Sequence, residues 1–324
     1  MPNSEALDAT LRARLAARGS RFAPEYAPQG FSDHLPMACM AMSGLGTTSA
    51  SVQSFATEYE AQLNPASAFP GYQDRLAAYL NEIAHHGVKA VLSERLPSLI
   101  SRCVREAYHP LIRIGYGVEF GVAEEVAAGL AYVQLVGGDE RLEALAEKIA
   151  SVANAPASSL FQKARSLPIN FDGSLTFTER AARAIDHPGF AHLATVIADN
   201  QQKMSRRALD VFAASHDFFA LHLITGSHAF RLLAPYAGPL AQPLLNLDLL
   251  AGYVAAGAPA FTAFTETSTP AAGCLKVIRN DEHDWKLAWS ARQQSVAFGD
   301  SAWVAAADGY LRRGDSGRRL RQTT

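Results

Sequence analysis

At 324 residues the chain has room for one large domain or two of ordinary size. Apolar residues make up 48% and charged ones 19%, an ordinary globular balance that suffices for a sizeable core. The formal net charge is −2, so no strongly basic face is expected and nucleic acid is excluded as an expected partner.

The N-terminus, Met1-Pro2-Asn3-Ser4-Glu5, has no apolar stretch of the kind a signal peptide needs, and a cytoplasmic location is expected. The 3 cysteines, Cys39, Cys103 and Cys274, are odd in number and far apart, which fits a reduced compartment better than a disulfide framework. No CxxC pair occurs, so a cysteine-based zinc site is excluded. The first chemistry-bearing residue is His34, in Asp33-His34-Leu35-Pro36-Met37-Ala38. Proline is tolerated in a first helical turn, so a helix over Met37 to Leu45 is expected, ended by Gly44 and Gly46, with His34 at its entrance. A capping or packing role is the plain reading of that histidine.

Leu76, Tyr79, Leu80 and Ile83 recur at helical spacing. Leu96, Leu99, Ile100, Cys103, Val104 and Ala107 predict a further three helical turns. His109 follows, in Tyr108-His109-Pro110-Leu111. Pro110 disfavours helical backbone at His109, so a break is expected there, followed by a largely buried helix. A buried imidazole needs a partner for its nitrogens, either a metal or an ordinary carboxylate or carbonyl. An apolar helix over Val122 to Val136 is expected to close at Gly137-Gly138.

Residues 154–175 carry Pro156, Ser158, Ser159, Pro168, Asn170 and Gly173 and read as a connection. A single 1–324 domain is expected, with possible halves 1–153 and 176–311 joined there and a basic tail over 312–324. Thr176 and Glu179 have the spacing of a capping box. His216, His222 and His228 recur six apart. On one helix, residues six apart point about 120° away from each other, so one ion does not readily take both His222 and His228. His222 shares a face with Thr225 and is favoured as a ligand, with His228 in the pocket wall. The run Leu240 to Ala263 comes nearest to a membrane span, but Pro243, Asn246, Asp248 and Pro259 interrupt it, and no membrane association is expected. His283 and Lys286, three apart, share a helix face after Asp281-Glu282. The plain reading pairs Lys286 with Glu282 and makes Asp281 and Glu282 helix-start residues. A protonated lysine cannot bind a metal, whereas one carbamylated by CO2 can. Period-two alternation is scarce, so the expected fold is all-α, a multi-helix bundle of two helical halves around one buried site.

Together, Asp33 to Ala38, Tyr108 to Tyr116, Leu221 to Ala229, and Asp281-Glu282-His283 with Lys286 resemble the questin oxidase-like family. They occur in that family's order over most of the chain. The resemblance implies an oxidoreductase that oxidatively cleaves polycyclic aromatic substrates such as anthraquinones with O2. It also implies a non-haem Fe(II) held by His34, His109, His222, His283 and a carboxylated Lys286. Thr225 is expected to hydrogen-bond a reacting oxygen. Asp33, Tyr116 and His228 are expected in or beside the pocket, with Phe218, Phe219 and Trp285 as aromatic walls. Two alternatives stand beside this reading. One is a metal-free monooxygenase using NADPH, although no GxGxxG nucleotide motif is visible. The other is a helical binding protein without catalysis, against which the histidine set argues.

Overall fold

The structure, a computed structural model, describes residues 7–26, 30–102, 104–136, 140–150, 157–172, 174–194, 201–265, 275 and 280–313. It is all-α, as the periodicity predicts. The helices in chain order are α1 (Ala9–Arg18), α2 (Leu35–Gly44), α3 (Ser49–Glu60), α4 (Tyr72–His86), α5 (Val88–Arg95), α6 (His109–Phe120), α7 (Ala123–Leu135) and α8 (Glu140–Ala150). There follow α9 (Ala157–Arg165), α10 (Phe177–Asp186), α11 (Pro188–Ala194), α12 (Gln201–Ser215), α13 (Phe218–Leu233), α14 (Ala241–Ala255), α15 (Glu282–Phe298) and α16 (Ala302–Leu311). The sheet content among the described residues is one short antiparallel hairpin, β1 (Glu25–Tyr26) with β2 (Phe31–Ser32), which the scarcity of alternation did not predict. No helix of the described residues is long and apolar enough to cross a membrane.

The centre of the fold is α6, whose residues are buried almost without exception. It packs on α7, α13 and α2, and α15 packs in turn on α13 and α2. A side chain at Gly129 of α7 would place its Cβ 2.5 Å from Ile114 Cγ1 and 3.0 Å from the Pro110 carbonyl oxygen. Only glycine lets α7 lie this close to α6. Two buried ion pairs stiffen the same region. Arg18 of α1 binds Asp33, and Arg113 of α6 binds Glu125 of α7 at 2.6 Å.

Several expectations need correction. Leu96 to Ala107 is not a continuous α-helix. Short 3-10 turns cover Leu96–Ser98, Ile100–Arg102 and Arg105–Tyr108. Pro97 and three left-handed residues, Glu106, Ala107 and Tyr108, interrupt the regular ladder, although Leu96, Leu99, Ile100, Val104 and Ala107 are buried as the stripe predicted. His109 itself is helical, with φ −56° and ψ −42°, so the break falls just before it and Pro110 sits in the first turn of α6. Within 154–175 the chain forms α9, whose Leu160, Phe161 and Ala164 are buried at helical spacing. The stop expected at Gly137-Gly138 lies outside the described residues, while α7 ends at Leu135. His216 stands outside α13, in a left-handed turn with φ 47°. The Thr176–Glu179 capping box forms as its spacing predicted.

Candidate metal centre

Four helices bring their N-terminal ends to one place. His34 caps α2, His109 opens α6, His222 lies in the second turn of α13, and His283 is the second residue of α15. All four imidazoles are buried, His222 to 1% exposure. The His34 ring lies 4.3 Å from that of His109 and 4.5 Å from that of His283, between centroids. The His222 ring lies 4.9 Å from His109 and 5.6 Å from His283. The four predicted histidine ligands, separated by up to 249 residues in sequence (283 − 34), are thus assembled in one cluster.

Each ring is held through Nδ1 by an oxygen that accepts a hydrogen bond. His109 Nδ1 donates to the Glu106 carbonyl at 2.5 Å, and His222 Nδ1 to the Phe218 carbonyl at 2.9 Å. His283 Nδ1 faces Asp281 Oδ1 at 3.2 Å, and His34 Nδ1 faces Glu282 Oε1 at 3.4 Å. A proton fixed on Nδ1 leaves a lone pair on Nε2, the arrangement that histidine ligands of metals ordinarily show. The Nε2 atoms of His34 and His109 are only 2.7 Å apart. Two lone pairs at that distance repel unless a proton or a cation lies between them. Burial, and next the Lys286 charge, pulls both rings well below the ordinary imidazole range, so each is neutral with a single ring proton, and the gap holds either such a proton on one Nε2 or a cation.

The donor set fits a transition metal. One nitrogen each from His34, His109 and His283 lie within 4.8 Å of one another, where donors at about 2.1 Å from one ion are at most about 4.2 Å apart. His222 meets this trio through its ring contacts. Lys286 is fully buried, and among the described residues its Nζ has no hydrogen-bond partner. The pairing with Glu282 expected from their spacing is not formed. Glu282 Oε1 instead faces the Nδ1 atoms of His34 and His283, at 3.4 and 3.5 Å. Burial pushes the Lys286 amine down to about 7, against the pull of Glu282, Asp281 and Asp33. At neutral pH a large share of it is therefore the free amine.

The remaining predicted residues are placed around this centre. Asp33 accepts the Leu35 backbone N–H at 3.0 Å and binds Arg18, which fixes the start of α2 and hence His34. The Thr225 hydroxyl donates to the His222 carbonyl at 3.4 Å. Phe218 packs its ring 5.0 Å from His222 and 4.7 Å from His283 and is half-buried, so it walls the site towards solvent. Phe219 packs instead on Phe177. Tyr116 lies behind α15, donating to the Lys286 carbonyl at 3.3 Å. His228 lies apart from the four histidines, with Nδ1 3.1 Å from Ser290 Oγ and Nε2 3.4 Å from Glu119 Oε1. Burial raises Glu119, but His228, the Trp289 indole N–H and Arg231 outweigh it and leave its carboxyl below the usual range.

Sequence reasoning missed the acceptors that hold the rings. Asp281 and Glu282 read as helix-start residues, and Asp281 does cap α15 through the His283 backbone N–H at 2.8 Å. The Glu106 carbonyl left no signal, because its position depends on backbone conformation. Glu106, Ala107 and Tyr108 have φ of 49°, 50° and 66°. A left-handed residue other than glycine costs roughly 1–2 kcal/mol, and such strain gathers at functional sites.

This is a helical protein whose buried, converging imidazoles have the donor chemistry of a metal centre. It belongs to the questin oxidase-like family, whose model matches residues 31–297 and so takes in all four histidines and Lys286. The family bears the name of an oxidase, and the class is accordingly oxidoreductase. The chain is also similar to the Baeyer-Villiger oxidase ptaJ of Pestalotiopsis fici, at 33% identity over 104 residues. That match covers 29% of this chain and 23% of the relative, so it spans less than a quarter of the relative's length.

Proposed function

We propose that this protein is a non-haem iron oxygenase that opens a ring of a polycyclic aromatic or quinone-type substrate. The observation that carries the reading is the contact of His34 and His109, two buried imidazoles 2.7 Å apart at Nε2 whose Nδ1 atoms face the Glu282 carboxylate and the Glu106 carbonyl. His34, His109, His222 and His283 would hold Fe(II) through Nε2. Lys286 would complete the set as a carbamate, formed when its neutral amine adds CO2 and releases a proton. This ligand set is richer in imidazole than the two-histidine, one-carboxylate iron triad. Bound ferrous iron would supply the one-electron chemistry that lets O2 react with an aromatic carbon.

The chain's own groups do the rest. Glu106, Phe218, Asp281 and Glu282 orient the four rings. The four helix N-termini favour negative charge at the centre, which suits a carbamate and a phenolate oxygen. Phe218 shields the rings from water and offers a flat surface to an aromatic substrate. Thr225, whose hydroxyl hydrogen is used on the His222 carbonyl, keeps lone pairs that accept from a substrate hydroxyl. The enzyme would work in the cytoplasm on a small aromatic molecule, without nucleic acid or membrane as partner.

The likeness to a Baeyer-Villiger oxidase favours a second reading, an NADPH-dependent monooxygenase without bound metal. That reaction inserts one oxygen atom beside a carbonyl while two electrons from NADPH reduce the other to water. A ring-cleaving dioxygenase places both atoms in the product and consumes no reductant. Metal content of untagged protein by elemental mass spectrometry, with oxygen uptake on anthraquinones in the presence and absence of NADPH, separates the two. About one iron per chain and uptake without NADPH support the iron reading. No metal after anaerobic ferrous loading, with uptake that requires NADPH, overturns it.

A further inference from the structure

We infer that Thr178 is a positioning residue for this centre: its hydroxyl holds Glu106 in the left-handed turn that presents the Glu106 carbonyl to His109. The hydroxyl is used twice. It accepts the Glu106 backbone N–H at 2.9 Å and donates to Glu106 Oε1 at 3.2 Å. Thr178 lies in the first turn of α10, which packs on residues 105–108. The other end of the turn is anchored independently. Tyr108 donates to the Asp248 carbonyl of α14 at 2.8 Å, and its ring lies 5.8 Å from that of Phe177, the neighbour of Thr178. That ring is admitted only because Gly226 and Gly252 face it. Added Cβ atoms there would lie 3.0 Å from Tyr108 Cγ and 2.0 Å from the Tyr108 hydroxyl.

Three consecutive side-chain-bearing residues leave the left-handed region unless they are pinned. Of the two pins, the one at Glu106 bears directly on His109, because the Glu106 carbonyl accepts the His109 Nδ1 proton at 2.5 Å. Without the Thr178 hydroxyl, Glu106 can turn towards ordinary backbone angles and its carbonyl moves off Nδ1. The proton of neutral His109 can then sit on Nε2. An Nε2 that carries a proton has no lone pair to offer a metal. Thr178 thus acts on the centre through the tautomer of His109. What His109 does in the protein rests on the iron reading above. The clamp itself rests on geometry alone.

The test uses the full chain with Thr178→Val, which keeps the branched shape, and Thr178→Ser, which restores the hydroxyl. Nitrogen-15 NMR of the imidazoles in metal-free protein reads the tautomer, and Co(II) titration reads the site. The wild type is expected to show His109 protonated at Nδ1. Thr178→Val is expected to move population to the Nε2–H tautomer and weaken Co(II) about 10-fold, the lower end for loss of a group that orients a ligand. Thr178→Ser is expected to restore both. Should Thr178→Val fold poorly, Glu106→Gly relieves the left-handed strain and is expected to keep the Nδ1–H tautomer in the double variant. A folded Thr178→Val chain whose His109 stays protonated at Nδ1 overturns the clamp. Wild-type protein that takes up no Co(II) or Fe(II) refutes the iron reading, and the tautomer comparison still decides the clamp.

Discussion

Removing the amine of Lys286 should stabilise the metal-free protein, by an amount that depends on pH. Lys286 is wholly buried, its Nζ has no hydrogen-bond partner among the described residues, and burial pulls it from an ordinary 10.5 to about 7. Above 10.5 the amine is neutral in both folded and unfolded chains and carries no penalty. As the pH falls from there to about 7, the unfolded chain takes a proton that the folded one refuses, so stability is lost over that window. Below it the loss is complete and constant. Each pH unit is worth about 1.4 kcal/mol, which sums to about 4 kcal/mol at pH 7, where the folded amine is half protonated. Methionine keeps the apolar stem and the volume. Lys286→Met should therefore gain up to about 4 kcal/mol at pH 7, shrinking by about 1.4 kcal/mol per unit at higher pH. Urea unfolding of metal-free, CO2-depleted protein at pH 7, 8 and 9 measures this. A gain that is absent, or the same at all three values, would refute the reasoning. The same variant should lose any bicarbonate dependence of iron uptake.

His34→Ala removes the ring that touches both His109 and His283, and metal affinity should fall more than about 100-fold, beyond the loss expected for an orienting group alone; unchanged iron content by elemental analysis would strike His34 from the ligand set. Gly129→Ala forces a Cβ onto Ile114 and the Pro110 carbonyl and should cost about 1–3 kcal/mol in denaturant unfolding, with weaker metal uptake because α6 carries His109. Burial, with Arg313 adding to it, lowers His216 to about 4, so its contribution to stability is present above about 6.5 and lost as the pH falls towards 4. Melting temperature against pH should fall more steeply over that window in the wild type than in His216→Gln, and parallel curves would count against it.

The residues of this centre were legible where chemistry follows residue type, and hidden where it follows backbone shape. The family resemblance gathered four histidines and a lysine into one set, whereas residue context alone read His34 as a capping or packing residue and Lys286 as a partner of Glu282. The helices themselves followed from periodicity at Leu76, Tyr79 and Ile83, all buried on α4. The same periodicity misled at Leu96 to Ala107. Burial there has helical spacing, but the chain reaches it through 3-10 turns that the left-handed residues before His109 require. A stripe reports which residues face the core, and a regular ladder is only the commonest way to place them there.

The two readings of Asp281-Glu282-His283 were never rivals. Asp281 caps α15 as any helix-start acid does, and the same Oδ1 that accepts the His283 backbone N–H at 2.8 Å lies 3.2 Å from the His283 ring nitrogen. Glu282, expected to neutralise Lys286, turns to the imidazoles instead and leaves the amine with no hydrogen-bond partner among the described residues. A helix start supplies backbone N–H groups, acidic side chains and a fixed first turn in one place. Four such starts meet at one point, and for three of the rings the groups at or just before a helix start set the orientation. His222 is the exception that tests this logic. It lies one turn further in, and its Nδ1 is held by the Phe218 carbonyl of its own helix rather than by a cap. Its orientation therefore depends on α13 beginning where it does, at Asp217, whose carboxylate accepts the Phe219 and Ala220 backbone N–H groups.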